Sequence, residues 1–179
     1  MRYQDIISFW FEEVELSQWW VKDDRFDQLI NDRFIQIHRQ ASACELYTWR
    51  SCAEGRLAEI IVLDQFSRNI FRDTPQAFAQ DSLALVLAQE AVRQRADKEL
   101  EPRKRSFLYM PYMHSESADI HRVAVKLFSA EGMEFNLDFE LRHKAIIDRF
   151  ERYPHRNKIL GRTSTEQELV FLQTEGSSF

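Results

Sequence analysis

Apolar residues recur along the chain at helical spacing and divide it into successive segments. Tyr3, Ile6, Ile7 and Trp10 stand at i, i+3, i+4 and i+7, one face of a short first helix. Asp23 or Asp24 can cap a second helix running to about Ala41, with Phe26, Leu29, Ile30, Phe34 and Ile37 inward. Ser51-Cys52-Ala53-Glu54 has the form of a capping box and opens a third, which runs through Leu57, Ile60, Ile61, Val62, Leu63, Phe66, Ile70 and Phe71. Those side chains cover nearly every direction around the axis, so this helix is predicted at the centre of the fold, packed on several sides. Thr74-Pro75 reads as an N-cap and first turn of a fourth helix with Ala77, Ala84, Ala88 and Ala91 on a small-residue face. Glu101-Pro102 starts a fifth, which Pro111 should kink or stop near Met110. Ile120, Val123, Ala124, Leu127 and Phe128 form a further stripe stopped near Gly132, and Phe139, His143, Ile146, Ile147 and Phe150 another ended at Tyr153-Pro154. A second capping box, Thr165 with Glu168, opens a last short helix with Leu169 and Leu172 inward. No strand-like alternation, linker or low-complexity tract interrupts the series, which predicts an all-α single domain over residues 1–179.

Composition supports this reading. A hydrophobic fraction of 44% suits a globular core, and only four Gly and four Pro argue against a chain of tight β turns. The net charge of -5, with basic and acidic residues interspersed, gives no general attraction to nucleic acid. No apolar run approaches the ~20 residues that cross a bilayer, so no membrane partner is expected. The two cysteines lack zinc-site spacing, and Met1-Arg2-Tyr3-Gln4-Asp5 does not open a secretory leader. A cytoplasmic protein without metal or cofactor is the expectation. Phosphate-loop, metalloprotease and nucleophile-elbow motifs are absent from the sequence.

Polar residues in apolar settings single out several positions. Asp64, Arg68 and Arg72 follow one another at i+4 steps on the side of Leu57, Ile61 and Phe71, so charges point where burial is expected. They form either an Asp64–Arg68 ion pair between helices or guanidinium forks offered to a carboxylate or phosphate, with Asn69 beside them. His114-Ser115-Glu116 follows the proline break, where the unpaired N–H groups of the next helix attract anions; plain capping accounts for the serine but not for His114 and Glu116. His143, in an apolar stripe, reads first as a satisfied core histidine. In Tyr153-Pro154-His155-Arg156-Asn157 a proline-fixed turn holds three polar side chains, and Arg162 extends the group. It is either a binding loop or a satisfied turn, with Arg156 stacked on Tyr153 and Asn157 bonded to its own backbone.

Phe9-Trp10-Phe11, Trp19-Trp20, the run from Leu63 to Arg72, Phe107-Leu108-Tyr109-Met110-Pro111, His114-Ser115-Glu116 and Pro154-His155-Arg156-Asn157 together resemble the bacterial DUF924 family over essentially the whole chain. Ile159-Leu160-Gly161-Arg162 and Ser164-Thr165 extend the likeness, while Asp73 and Ser117 depart from it, the former where glycine is expected. The resemblance implies a tetratricopeptide-like right-handed superhelix of antiparallel helices. It implies no activity and no catalytic residues. The leading expectation is therefore a binding module whose Arg68, Asn69, Arg72, His155, Arg156 and Asn157 gather around an anionic group, a peptide carboxylate or a small acidic metabolite. The alternative is a small hydrolase or isomerase with His114 or His155 as general acid or base, oriented by Glu116 or Asp64.

Overall fold

The computed structural model describes residues 1–177, and within them every regular element is helical. Nine α-helices follow in order among these residues: α1 (Tyr3–Ser8), α2 (Asp24–Ser42), α3 (Ala53–Ile61), α4 (Ser67–Ile70), α5 (Asp81–Arg93), α6 (Pro102–Met113), α7 (Ala118–Phe128), α8 (Glu134–Phe150) and α9 (Glu166–Phe171). None of them is long and apolar enough to cross a membrane.

The predicted central helix is α3 and α4 joined through a π-turn over Val62–Phe66, with right-handed backbone angles across both joins. A π-turn fits one more residue into each turn than the α-helix does, and such turns are frequent at functional sites. Here it leaves five consecutive residues, Val62, Leu63, Asp64, Gln65 and Phe66, buried together. That burial is possible because the helix is enclosed: α1 and α2 lie against it on one part of its surface, α5 and α6 on another. Rings fill the first junction, with Phe34 4.7 Å from Phe9 and 4.8 Å from Phe66. Small residues form the second, since Ala84, Ala88 and Ala91 of α5 are wholly buried. Beyond α6, each helix packs on the next, α6 on α7 and α7 on α8, and a smaller apolar cluster of Ile146, Ile147 and Tyr153 gathers Phe150 and Phe171.

Several boundaries differ from the pattern-based reading, for local reasons. The N-cap of α3 is Cys52, one residue later than the box places it, and makes no side-chain cap; Glu54, no longer three residues past the cap, pairs with Lys104 of α6 at 2.6 Å. Pro75 opens a 3-10 turn, Pro75–Phe78, and α5 begins only at Asp81. Pro111 neither ends nor breaks α6 near Met110; the helix runs to Met113, with the His114 N–H donating to the Met110 carbonyl at 3.0 Å. A proline so near the C-terminus removes one hydrogen bond and leaves the last turn able to close. Leu29 and Leu169, read as inward, are 44% and 53% exposed, because each lies on the far edge of its amphipathic face. Asp23 and the Thr165–Glu168 box cap α2 and α9 as expected.

Gly55 has a role that helix propensity hides. An added Cβ would lie 2.0 Å from the Trp49 carbonyl oxygen, in the 3-10 turn that leads into α3. Alanine at a helix interior ordinarily gains up to about 1 kcal/mol over glycine. Here the forced displacement reverses the sign, and Gly55→Ala is expected to lose about 2 kcal/mol in a urea melt. A stabilised Gly55→Ala variant would show that this turn yields freely.

Candidate functional site

Asp64 is completely buried in the π-turn and accepts only from donors. His114 Nδ1 lies 2.7 Å from Oδ1, Arg68 Nη1 lies 3.2 Å from the same oxygen, and the neighbouring Gln65 amide donates to Oδ2. Burial alone would raise this carboxyl, but the Arg68 charge and then His114 outweigh it and hold Asp64 well below the ordinary carboxylate range. His114 is itself shifted down, by burial and then by Arg68, against the pull of Asp64. The pair is therefore an ionised carboxylate holding a neutral imidazole through Nδ1–H, which leaves Nε2 as the free acceptor of the ring.

Arg68 also bridges helices. It donates to the Asp64 carbonyl at 2.7 Å and forks onto Asp81, the first residue of α5, at 3.0 and 3.1 Å. Arg156, from the proline turn, reaches the same Asp81 through one long contact of 3.4 Å. Its guanidinium lies 4.7 Å from the Phe78 ring and 4.5 Å from Tyr153, while its buried Nε has no partner. Burial and then the Arg68 charge lower the Arg156 pKa, the mark of a cation short of counter-charge. Glu116 is better satisfied: Arg162 forks onto both oxygens at 2.7 and 2.9 Å, and the Tyr153 N–H donates at 2.7 Å. Those donors keep its carboxyl below the usual range although burial pushes it up. Arg162 is held in turn by Asn157 Oδ1 at 2.9 Å, and the Asn157 amide donates to Ser164 Oγ at 3.1 Å.

Phe78, Asp81, Leu85, His114, Glu116 and Arg156 line a cleft of about 340 Å³. The predicted residues thus converge in part. Two hydrogen-bonded sets lie on or under this cleft, Asp64, Arg68, His114 and Arg156 with Asp81, and Glu116, Asn157 and Arg162 with the Tyr153 backbone; the Tyr153 ring under Arg156 joins them. Asn69 and Arg72 belong to neither. The α-helix ends at Ile70, so the i+4 projection fails at Arg72, which turns with Asn69 to Asp27 of α2. They line a different depression of about 370 Å³ with Lys22, Asn31 and Asp73. Both cations of this depression are matched, Lys22 to Asp73 at 2.7 Å and Arg72 to Asp27.

His143 and His155 stand behind the cleft, with rings 5.8 and 5.6 Å from that of Tyr153. His143 donates to the Phe139 carbonyl at 2.8 Å, the satisfied core histidine that its stripe suggested. Arg156 is stacked on Tyr153 as the turn reading had it, but Asn157 bonds to Ser164 and Arg162 in place of its own backbone. Three participants were not among the sequence candidates. Asp81 carries no local signal beyond opening a helix. His121 and Glu140 are fully buried and face each other at 2.7 Å, beneath the Ser115 carbonyl. Among the described residues no group of three or more His, Cys, Asp or Glu is arranged to hold a metal ion.

Residues 6–176 match the model of a bacterial protein family of unknown function, DUF924. The chain belongs to this family. A solved structure of a protein of unknown function from Agrobacterium tumefaciens is 37% identical, covers 96% of both chains and superposes with a TM-score of 0.91. No curated protein matches. In this DUF924 member Asp73, where glycine was expected, has a φ of +61°, the left-handed region that aspartate tolerates better than most residues.

Proposed function

We propose that this DUF924 protein binds a small anionic ligand, a peptide carboxylate or an acidic metabolite, in the cleft between Asp81, His114 and Arg156. One observation carries the reading. Arg156 is 93% shielded from solvent, yet it is matched only by a long contact to an aspartate that Arg68 already occupies. A buried cation left so incompletely paired is costly, and a ligand carboxylate would recover that cost through charge-assisted hydrogen bonds. The tetratricopeptide-like superhelix is part of the same proposal, supported by the successive packing of α5 to α8.

A thermal-shift screen of carboxylates, phosphates and C-terminal peptides tests it, since a ligand selective for the folded state raises the melting temperature. Arg156→Ala is expected to weaken binding about tenfold or more, the worth of a charge-assisted hydrogen bond, whereas Arg72→Ala leaves it unchanged. Equal affinity in the Arg156→Ala and wild-type proteins would remove the cleft from consideration.

A second reading rests on a different observation, the 2.7 Å bond between Asp64 and His114 at the cleft wall. A carboxylate-oriented neutral imidazole suits a general base, so a hydrolase or isomerase with His114 in that role and Asp64 positioning it is the alternative. His155 does not line the cleft and is less suited to the part.

A further inference from the structure

We infer that the ligand of this cleft carries a hydrogen-bond donor, a hydroxyl or an N–H, close to its carboxylate, as 2-hydroxy acids and N-acyl amino acids do. The inference rests on the anion-binding reading above and narrows it. It follows from counting which polar atoms of the cleft the protein itself has already used. Both oxygens of Asp81 receive Arg68. Both oxygens of Glu116 receive Arg162, and one also receives the Tyr153 N–H. The lining carboxylates are therefore occupied acceptors that offer little to a ligand.

Besides the Ser82 and Ser115 hydroxyls, which can turn to donate or accept, two groups of fixed polarity are left. Arg156 is the under-paired cation, suited to a carboxylate. The other is His114, and its tautomer is fixed by geometry. An ionised carboxylate can only accept, so the short bond to Asp64 requires the proton on Nδ1. The adjacent Arg68 guanidinium, 3.2 Å from the same Asp64 oxygen, opposes a second proton on the ring. Nε2 consequently carries the lone pair of a ring that lines the cleft. A ligand that meets only Arg156 leaves that acceptor desolvated and unmatched, which is the more expensive outcome. A carboxylate with a nearby donor satisfies both groups at once. A fully deprotonated phosphate has no such donor. Phe78, Leu85, Pro111 and Leu160, which complete the walls, favour an apolar substituent.

Calorimetric titration of the intact protein with two matched pairs tests this. Mandelate and phenylacetate differ by one hydroxyl, and N-acetylphenylalanine and 3-phenylpropionate by one acylated amine. The donor-bearing member of at least one pair is expected to bind about tenfold tighter, and which pair responds distinguishes a hydroxy acid from a peptide-like ligand. His114→Ala should bring the two members of that pair to similar affinity. Should His114→Ala fold poorly, side-chain 15N spectra of the histidine-labelled wild type serve instead: the His114 Nε2 resonance should move with the donor-bearing probe and not with its partner. Equal affinities within both pairs would overturn the inference and leave the anion site standing. If no probe of either pair binds, the anion site and this inference fall together.

Discussion

Replacing Glu140 with alanine is expected to lower the unfolding free energy by about 2–4 kcal/mol, from a buried imidazole nitrogen left without its partner and the cavity left beside it. Glu140 on α8 and His121 on α7 are both fully buried, with 2.7 Å between Oε1 and Nδ1. The other ring nitrogen is 2.8 Å from the Ser115 carbonyl and 3.2 Å from the Tyr153 hydroxyl, which itself donates to the Met113 carbonyl at 2.6 Å. With Nε2–H engaged on that side, one further proton must lie between Nδ1 and Glu140. Burial raises the Glu140 carboxyl, so holding that proton costs little. Glu140→Ala removes the partner and leaves Nδ1 in a dry site. A Glu140→Leu/His121→Leu double variant, which removes both polar groups and restores apolar volume, should recover a large part of the loss. Urea unfolding of the singles and the double measures this coupling. A single-variant cost under about 1 kcal/mol would mean that water reaches the pair. Because the pair fixes Ser115 and Tyr153, the neighbours of His114 and Arg156, its loss should also disturb the cleft.

The contrast between helices and site shows what a sequence pattern can carry. Helix positions are legible because their signals are local: Asp23 and Thr165 cap where the pattern says, and Ala84, Ala88 and Ala91 share one buried face. The Asp64–Arg68 contact, four residues apart on one helix, is legible for the same reason. The fork from Arg68 to Asp81 is not, since it depends on how closely α5 approaches across an alanine face. Nor is the departure of Arg72, which turns on where a helix stops. The π-turn leaves only an indirect trace, an aspartate within an otherwise apolar run. His121 and Glu140 did leave a signal. His121, Ala124 and Phe128 fall on one stripe of α7, and Glu140, His143 and Ile147 on one stripe of α8, so His121 and Glu140, like His143, stood where only apolar residues belonged.

Acid should begin to destabilise this protein above the pH at which its carboxylates titrate. His38 is buried, and its Nε2 is 2.8 Å from Ser67 Oγ; that hydroxyl donates onward to the Leu63 carbonyl, so the ring must supply the proton between them. Burial pushes its pKa down to about 4, and burial pushes that of His143 down to about 3. In the unfolded chain both return to roughly 6.5. Between those values the unfolded state binds more protons than the folded one, so stability is fully present above about pH 6.5 and declines as the pH falls. At 1.36 kcal/mol per pKa unit each imidazole withdraws roughly 3 kcal/mol by pH 4, about 6 kcal/mol together. His155, lowered to about 4 by burial and then Arg156, acts in the same direction. Glu140 acts in the opposite one, because a raised carboxyl favours the folded state at low pH, but it is one group against several. A domain of ordinary stability, 5 to 15 kcal/mol by rough measure, cannot lose so much and remain far from its transition. Urea midpoints should therefore fall steadily between pH 6.5 and 4, and His38→Gln or His143→Gln should flatten the slope. A midpoint that holds level down to pH 4.5 would mean that these imidazoles accept protons in the folded chain as readily as in water.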